Sequence, residues 1–216
     1  MPRGISGKRL KDIYSALFNA YGMQSCTLDY QTPLQLMVAT ILSAQCTDER
    51  VNKITPALFK AYPDAASFAK AKPGDLENLI KSAGFFRAKS SNIIKACQMI
   101  EAKHSGKVPS TMEELTALPG IGRKTANVIL GDAFEVPDFP VDTHVKRVLN
   151  LLGIVDEDDP VKIEMAVIAK IPKKYWTNFS HLLIIHGRRR CVARKPDCPN
   201  CELLNYCKYG RKKLRK

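Results

Sequence analysis

The stretch Leu118-Pro119-Gly120-Ile121-Gly122-Arg123-Lys124-Thr125 decides the reading of this chain. A short helix ends at Leu118, two glycines make a tight turn, and a second helix starts at Arg123 and runs to Phe134. Glycines at 120 and 122 let the backbone approach a ligand without a Cβ in the way, and the N–H groups opening the new helix can bind a phosphate oxygen. A plain helix-to-helix turn with glycine as its C-cap produces the same pattern, so the turn alone leaves both readings open. Lys124 falls in the first turn of the second helix, where the positive helix end disfavours a cation, and an amine so placed suits nucleophilic attack on an electrophilic carbon. The alternative role for a lysine on a basic protein is a surface or phosphate contact.

Outward from this hairpin the periodicity is helical. Leu10, Ile13, Tyr14, Leu17, Phe18 and Tyr21 form one apolar stripe, and Thr32-Pro33 supplies an N-cap and a first-turn proline before Leu34, Met37, Val38, Ile41 and Leu42. Further helices are expected over residues 51–61, 75–82, 89–103, 143–152, 160–171 and 175–188, and Ser110-x-x-Glu113 reads as a capping box with Met112 and Leu115 inward. Two-residue alternation is missing, so the fold class is all-α. Pro137-Asp138-Phe139-Pro140 is the expected crossing between two lobes, and Asp156-Glu157-Asp158-Asp159 an acidic solvated loop. Just past the crossing, Val141-Asp142-Thr143-His144 opens a helix: Asp142 is a natural N-cap that can also present a carboxylate to developing positive charge. His144 is either a structural side chain or a ligand contact.

The chain has 216 residues, 45% of them hydrophobic and 25% charged, which is ordinary globular composition. The longest mainly apolar run, Leu34 to Ala44, is too short to cross a bilayer. Positive residues at the N-terminus have no apolar segment behind them, so no secretion signal is read there and a reducing cytosol is expected. The formal net charge is +13, and Gly187 to Lys216 carries eleven Lys/Arg against Asp197 and Glu202. An excess of that size points to a polyanion, with the tail expected as a solvated arm.

Cys26, Cys46 and Cys97 lie in apolar-periodic segments and read as small buried residues. Cys191, Cys198, Cys201 and Cys207 form C-x6-C-x2-C-x5-C, one full thiolate shell for a tetrahedral zinc or a cubane iron–sulfur cluster. Counting sulfurs does not choose between the two metals.

The segment Leu118 to Val128, then Val141-Asp142-Thr143-His144, then the four-cysteine spacing with Cys191-Val192-Ala193-Arg194-Lys195-Pro196 inside it, resembles the endonuclease III family of helix-hairpin-helix DNA glycosylases, from about Lys8 to Cys207. The resemblance implies two helical lobes: a six-helix barrel over 26–136 containing the hairpin, and a second lobe of 1–25 plus 137–216 built around a 4Fe-4S cluster on the four cysteines. It implies a monomer acting in the cytoplasm, at the nucleoid if bacterial, on duplex DNA held between the lobes. The activity implied is excision of oxidised pyrimidines followed by strand cleavage at the abasic site, with Lys124 as nucleophile and Asp142 as its carboxylate partner. Gly120, Gly122, Arg123, His144, Arg194 and Lys195 would contact DNA. Gln45 matches the residue that fills the gap left by the extruded nucleotide, and Gly84-Phe85-Phe86-Arg87 the loop that wedges the opposite strand, through either Phe85 or Phe86. Three positions depart from the family pattern: Phe85-Phe86 stands where an aliphatic residue and Tyr are usual, and Cys46 where Ala or another small residue is usual.

Overall fold

Ser6 accepts the Arg9 N–H on its Oγ at 3.4 Å and opens the first helix, α1 (Gly7–Tyr21). The structure, a computed structural model, describes residues 6–215; the N-terminal leader reading and Lys216 of the basic tail lie outside them. Eleven further helices follow: α2 (Pro33–Ser43), α3 (Asp48–Ala61), α4 (Ala65–Ala69), α5 (Pro73–Ile80), α6 (Phe86–His104), α7 (Met112–Thr116), α8 (Arg123–Ala133), α9 (Thr143–Leu152), α10 (Pro160–Ile168), α11 (Trp176–Arg189) and α12 (Lys208–Lys213). The fold is all-α, with no strand among the described residues. None of these helices is long and apolar enough to cross a membrane.

The chain divides into two units, Cys26–Val136 and Met1–Ser25 with Pro137–Lys216. The continuous unit is built on α2 and α6. Seven consecutive residues of α2, Leu36 to Leu42, are buried, so this helix is enclosed on all sides instead of showing one apolar stripe. Its core includes Leu36, Met37, Leu58, Phe68, Ile93 and Ile100, each at 0% exposure. Thr32 caps α2 by accepting Gln35 N–H at 3.2 Å, with Pro33 at the first position as its fixed φ favours.

The discontinuous unit joins the first helix to everything after the lobe crossing. Leu10, Ile13 and Leu17, spaced to one face of α1, are fully buried in a core with Val145, Leu149, Phe179, Leu182 and Leu203. Each such side chain contributes about 1.5–3 kcal/mol of hydrophobic stabilisation, which is what holds a helix so distant in sequence to its partners. Asn178 bridges the unit's two stretches, donating to the Gln24 carbonyl at 3.0 Å and accepting from the Tyr14 hydroxyl at 3.3 Å.

Several local readings are corrected. The N-cap of α7 is Thr111, one residue later than Ser110: Thr111 Oγ1 accepts Glu114 N–H at 3.3 Å and donates to the Glu114 carboxylate at 2.7 Å, a side-chain pair in place of the expected Ser110–Glu113 capping box. Part of the basic tail is a helix, α12, with Cys207 as its N-cap. The acidic loop is solvated as expected, with Asp156, Asp158 and Asp159 exposed, and it is ordered by its own groups: Glu157 Oε1 accepts Asp158 and Asp159 N–H at 2.8 and 3.0 Å, and Asp159 caps α10. Of the three scattered cysteines only Cys97 is buried. Burial pushes its thiol up to about 12.

Candidate functional site

In the continuous unit the hairpin is made by α7, the turn Leu118–Gly122 and α8. Ile121 N–H donates to the Leu118 carbonyl at 3.1 Å, closing the turn, and Gly120 sits at φ +81°, where a side chain is strained. Gly120 also packs on α6, because an added Cβ would lie 2.9 Å from Asn92 Cβ. Gly122 is the N-cap of α8 and makes no side-chain cap hydrogen bond, and a Cβ there would meet nothing within 4 Å. Arg123 and Lys124, the first two residues of α8, are exposed.

Two other tips belong to the same unit. Gln45, just past α2, is exposed at φ +53°, in a turn closed by Cys46 N–H on the Ser43 carbonyl at 3.0 Å. Phe85 precedes α6 at φ +46° and is 69% exposed, whereas Phe86 packs partly into the core under the Arg87 guanidinium. The exposed aromatic is therefore Phe85. Between these tips lies Lys89, 4% exposed, which sequence reasoning passed over because a lysine at the expected start of a helix reads as surface. Its ammonium donates to the Leu42 carbonyl at 2.7 Å and the Ala83 carbonyl at 2.8 Å.

In the discontinuous unit Asp142 caps α9, accepting the N–H groups of His144 and Val145 at 2.8 Å each. Both bonds fall on Oδ1, so the cap needs only one carboxylate oxygen. His144 is half-buried, pairs with Arg147 at 3.2 Å and packs so closely on α11 that a Cβ at Gly187 would come within 2.8 Å of its own Cβ. Burial is the main influence holding the His144 imidazole below its usual proton affinity.

All four C-terminal cysteines line one cavity with Val148, Leu152 and Leu203 among its apolar walls and about 360 Å³ of atom-free space, part of it open to solvent. A tetrahedral zinc with bonds of ~2.3 Å needs its sulfurs about 3.8 Å apart. No three of these four sulfurs lie within 4.8 Å of one another; among the described residues the group that does meet that spacing is His186, Cys201 and Glu202. Cys201 Sγ is 3.7 Å from His186 Nε2, while Tyr21 and Glu202 reach the other ring nitrogen at 3.1 and 3.5 Å. Burial pushes His186 down to about 4 and Cys201 up to about 11, so without a metal ion both are neutral at pH 7. A bound metal supplies the positive charge that deprotonates such thiols. Gly210 N–H donates to Cys207 Sγ at 3.2 Å, and Arg190 spans the loop by reaching Asp197 at 2.6 Å and Glu202 at 3.0 Å. Arg194 and Lys195, between the first two cysteines, are exposed. The bracing set Tyr21, His186, Arg190 and Glu202 escaped sequence reading, because no local spacing marks partners up to 181 residues apart.

The family described as HhH-GPD superfamily base excision DNA repair protein matches residues 38–173. Endonuclease III of Synechocystis sp. is 52% identical over 201 residues, covering 93% of this chain and 92% of its own. The fold is similar to a non-covalent endonuclease III–DNA complex, with TM-score 0.93, 39% identity and coverage of 98% and 99% of the two chains. It is equally similar to a trapped endonuclease III–DNA covalent intermediate, with TM-score 0.92, 39% identity and coverage of 97% and 99%.

Proposed function

The chain belongs to the endonuclease III family of HhH-GPD base excision DNA repair proteins, and from that premise we propose how its residues carry out glycosylase and lyase chemistry on duplex DNA. The substrate class is oxidised pyrimidines and abasic sites, acted on by a monomer in the cytoplasm, where the chromosome is accessible. The observation that carries this reading is Lys124, exposed in the first turn of a helix whose N-cap is the side-chain-free Gly122. That helix start holds a phosphate and so brings the strand to the amine.

A stacked base hides its glycosidic carbon, so the nucleotide is first extruded. Gln45 fills the vacated space and Phe85, the exposed one of the two phenylalanines, wedges the opposite strand. Lys124 Nζ then forms a bond to C1′ as the C1′–N bond breaks, its electron pair leaving with the base, which takes up a proton. Loss of a proton from the amine and opening of the sugar ring give a protonated imine. Removal of a C2′ proton feeds electrons toward that imine and expels the 3′ phosphate. Asp142, whose Oδ1 alone serves the helix cap, stabilises positive charge developing on the sugar and helps deprotonate Lys124.

A 4Fe-4S cluster is the group we assign to the cysteine cavity, which all four cysteines line beside Val148, Leu152 and Leu203 and where no three of the sulfurs lie within 4.8 Å of one another. Cys191, Cys198, Cys201 and Cys207 would hold it, and its chemistry when bound is to cross-link the segment from α11 to α12 through iron–thiolate bonds. Gly120, Gly122, Arg123, Arg194 and Lys195 contact phosphates, and His144 braces the start of α9 beside the strand.

Sodium borohydride reduces a protein–DNA imine to a stable amine, so it tests the nucleophile directly. Wild type with an abasic-site duplex is expected to give a covalent adduct, and Lys124→Gln none, with duplex affinity retained. An adduct formed at wild-type rate by Lys124→Gln would assign the chemistry to another amine.

A further inference from the structure

Lys89 is a buried cation with no carboxylate partner among the described residues, held only by the carbonyls of Leu42 and Ala83. Removing an ammonium from water is costly, and an apolar side chain of the same length would fill the space without that cost. The two carbonyls explain the charge. Leu42 belongs to the last turn of α2 and Ala83 ends a one-turn 3-10 helix, Lys81–Ala83, so each is a carbonyl left without an intrahelical partner at a negative helix end. One ammonium caps both, and burial lowers its proton affinity without removing the donors it needs.

Each capped carbonyl leads directly into a left-handed residue that is not glycine: Gln45 follows Leu42 by three positions at φ +53°, and Phe85 follows Ala83 by two at φ +46°. Such conformations persist where the surroundings over-determine them. Lys89 grips the second tip twice, since its own N–H donates to the Phe85 carbonyl at 3.1 Å. We propose that Lys89 is a positioning residue that fixes the spacing of Gln45 and Phe85, so that gap-filling and wedging occur as one paired insertion. This rests on the roles given to Gln45 and Phe85 above.

Lys89→Met removes the donors and keeps the length. On a duplex with one abasic site it is expected to lower the rate of borohydride adduct formation by roughly 10- to 100-fold, the penalty of misplacing a reactive centre by about an ångström. On the same strand without its complement, where nothing is wedged, the rate is expected to match wild type. In a Gln45→Ala/Phe85→Ala background Lys89→Met is expected to cost nothing further, because the effect passes through those two side chains. Equal losses on duplex and single strand, or full additivity in that background, would overturn the proposal. Lys89→Gln, with a shorter donor, is expected to fall between wild type and Met; failure of both variants to fold would reduce Lys89 to a structural residue and equally overturn it. If Gln45→Ala/Phe85→Ala alone leaves the duplex rate unchanged, the roles of those tips are wrong, whereas absence of any adduct with wild type would sink the wider functional reading.

Discussion

Gly120 lies against Asn92 with no room for a side chain: a Cβ on the glycine would stand 2.9 Å from both Asn92 Cβ and Nδ2. The turn of the hairpin is thereby seated on the helix that also carries Lys89, and the two glycines of the turn have different reasons to be glycine. Gly120→Ala adds a steric clash to a left-handed backbone and is expected to cost about 2–4 kcal/mol of stability in a urea titration. Gly122→Ala, at φ −89° with open space around it, is expected to cost at most about 1 kcal/mol and yet weaken duplex binding, because the methyl group stands where the strand approaches. Equal loss of stability in the two variants would contradict this division.

The helix cap made by Asp142 and the chemical role proposed for it are separable. Asn keeps an oxygen for the cap, so Asp142→Asn is expected to unfold within about 0.5 kcal/mol of wild type while base release slows by two or more orders of magnitude. Asp142→Ala loses the cap as well and is expected to cost about 1 kcal/mol in addition. Comparable activity in wild type and Asn variant, measured by single-turnover base release, would remove the carboxylate from the reaction.

Arg194 and Lys195 are exposed and sit in the loop that Arg190 stiffens through Asp197. As phosphate contacts, each should contribute about one unit to the slope of log affinity against log salt. Replacing both with Ala is expected to lower that slope by about two and to weaken damaged and undamaged duplex alike. An unchanged slope would place the loop away from DNA.

Cys198 is buried in the cysteine cavity. Wild-type protein is expected to carry four irons per chain with brown colour and absorbance near 400 nm, and Cys198→Ser to lose the iron and the order of its C-terminal segment. One zinc per chain in wild type, measured by elemental analysis, would overturn the cluster.

Legibility in the sequence followed the range of the interaction. The start of α9 was readable at Asp142 because an N-cap and the apolar period after it lie within one turn, and Thr32-Pro33 marked α2 for the same reason. The segment Ser110-Thr111-Met112-Glu113-Glu114 holds two overlapping Ser/Thr-x-x-Glu patterns of equal local quality, and the helix starts from the second, with Thr111 as N-cap and Leu115 buried. The five residues of α4 are too few to show a period, so that helix was invisible despite the Asp64–Ser67 capping box. At the site, the hairpin, Lys124 and the cysteines announced themselves through spacing. Lys89 did not, since its meaning lies in carbonyls of other segments, and no sequence pattern shows a charge turned inward.

Arg9 donates to the carbonyls of Leu152 and Tyr206 at 2.7 Å each, tying the earliest helix to stretches near the other end of the chain. Synthesis runs from the N-terminus, so α1 leaves the ribosome long before anything it packs against exists, while Cys26–Val136 can fold as soon as it emerges. A nascent chain at that stage already presents the glycine hairpin and Lys124 but has neither Asp142 nor a single one of the four thiols. Translation thus delivers Lys124 before Asp142 and the cysteines, and α1 waits for the stretch from Phe139 to Tyr206 before its buried face and Arg9 find their partners.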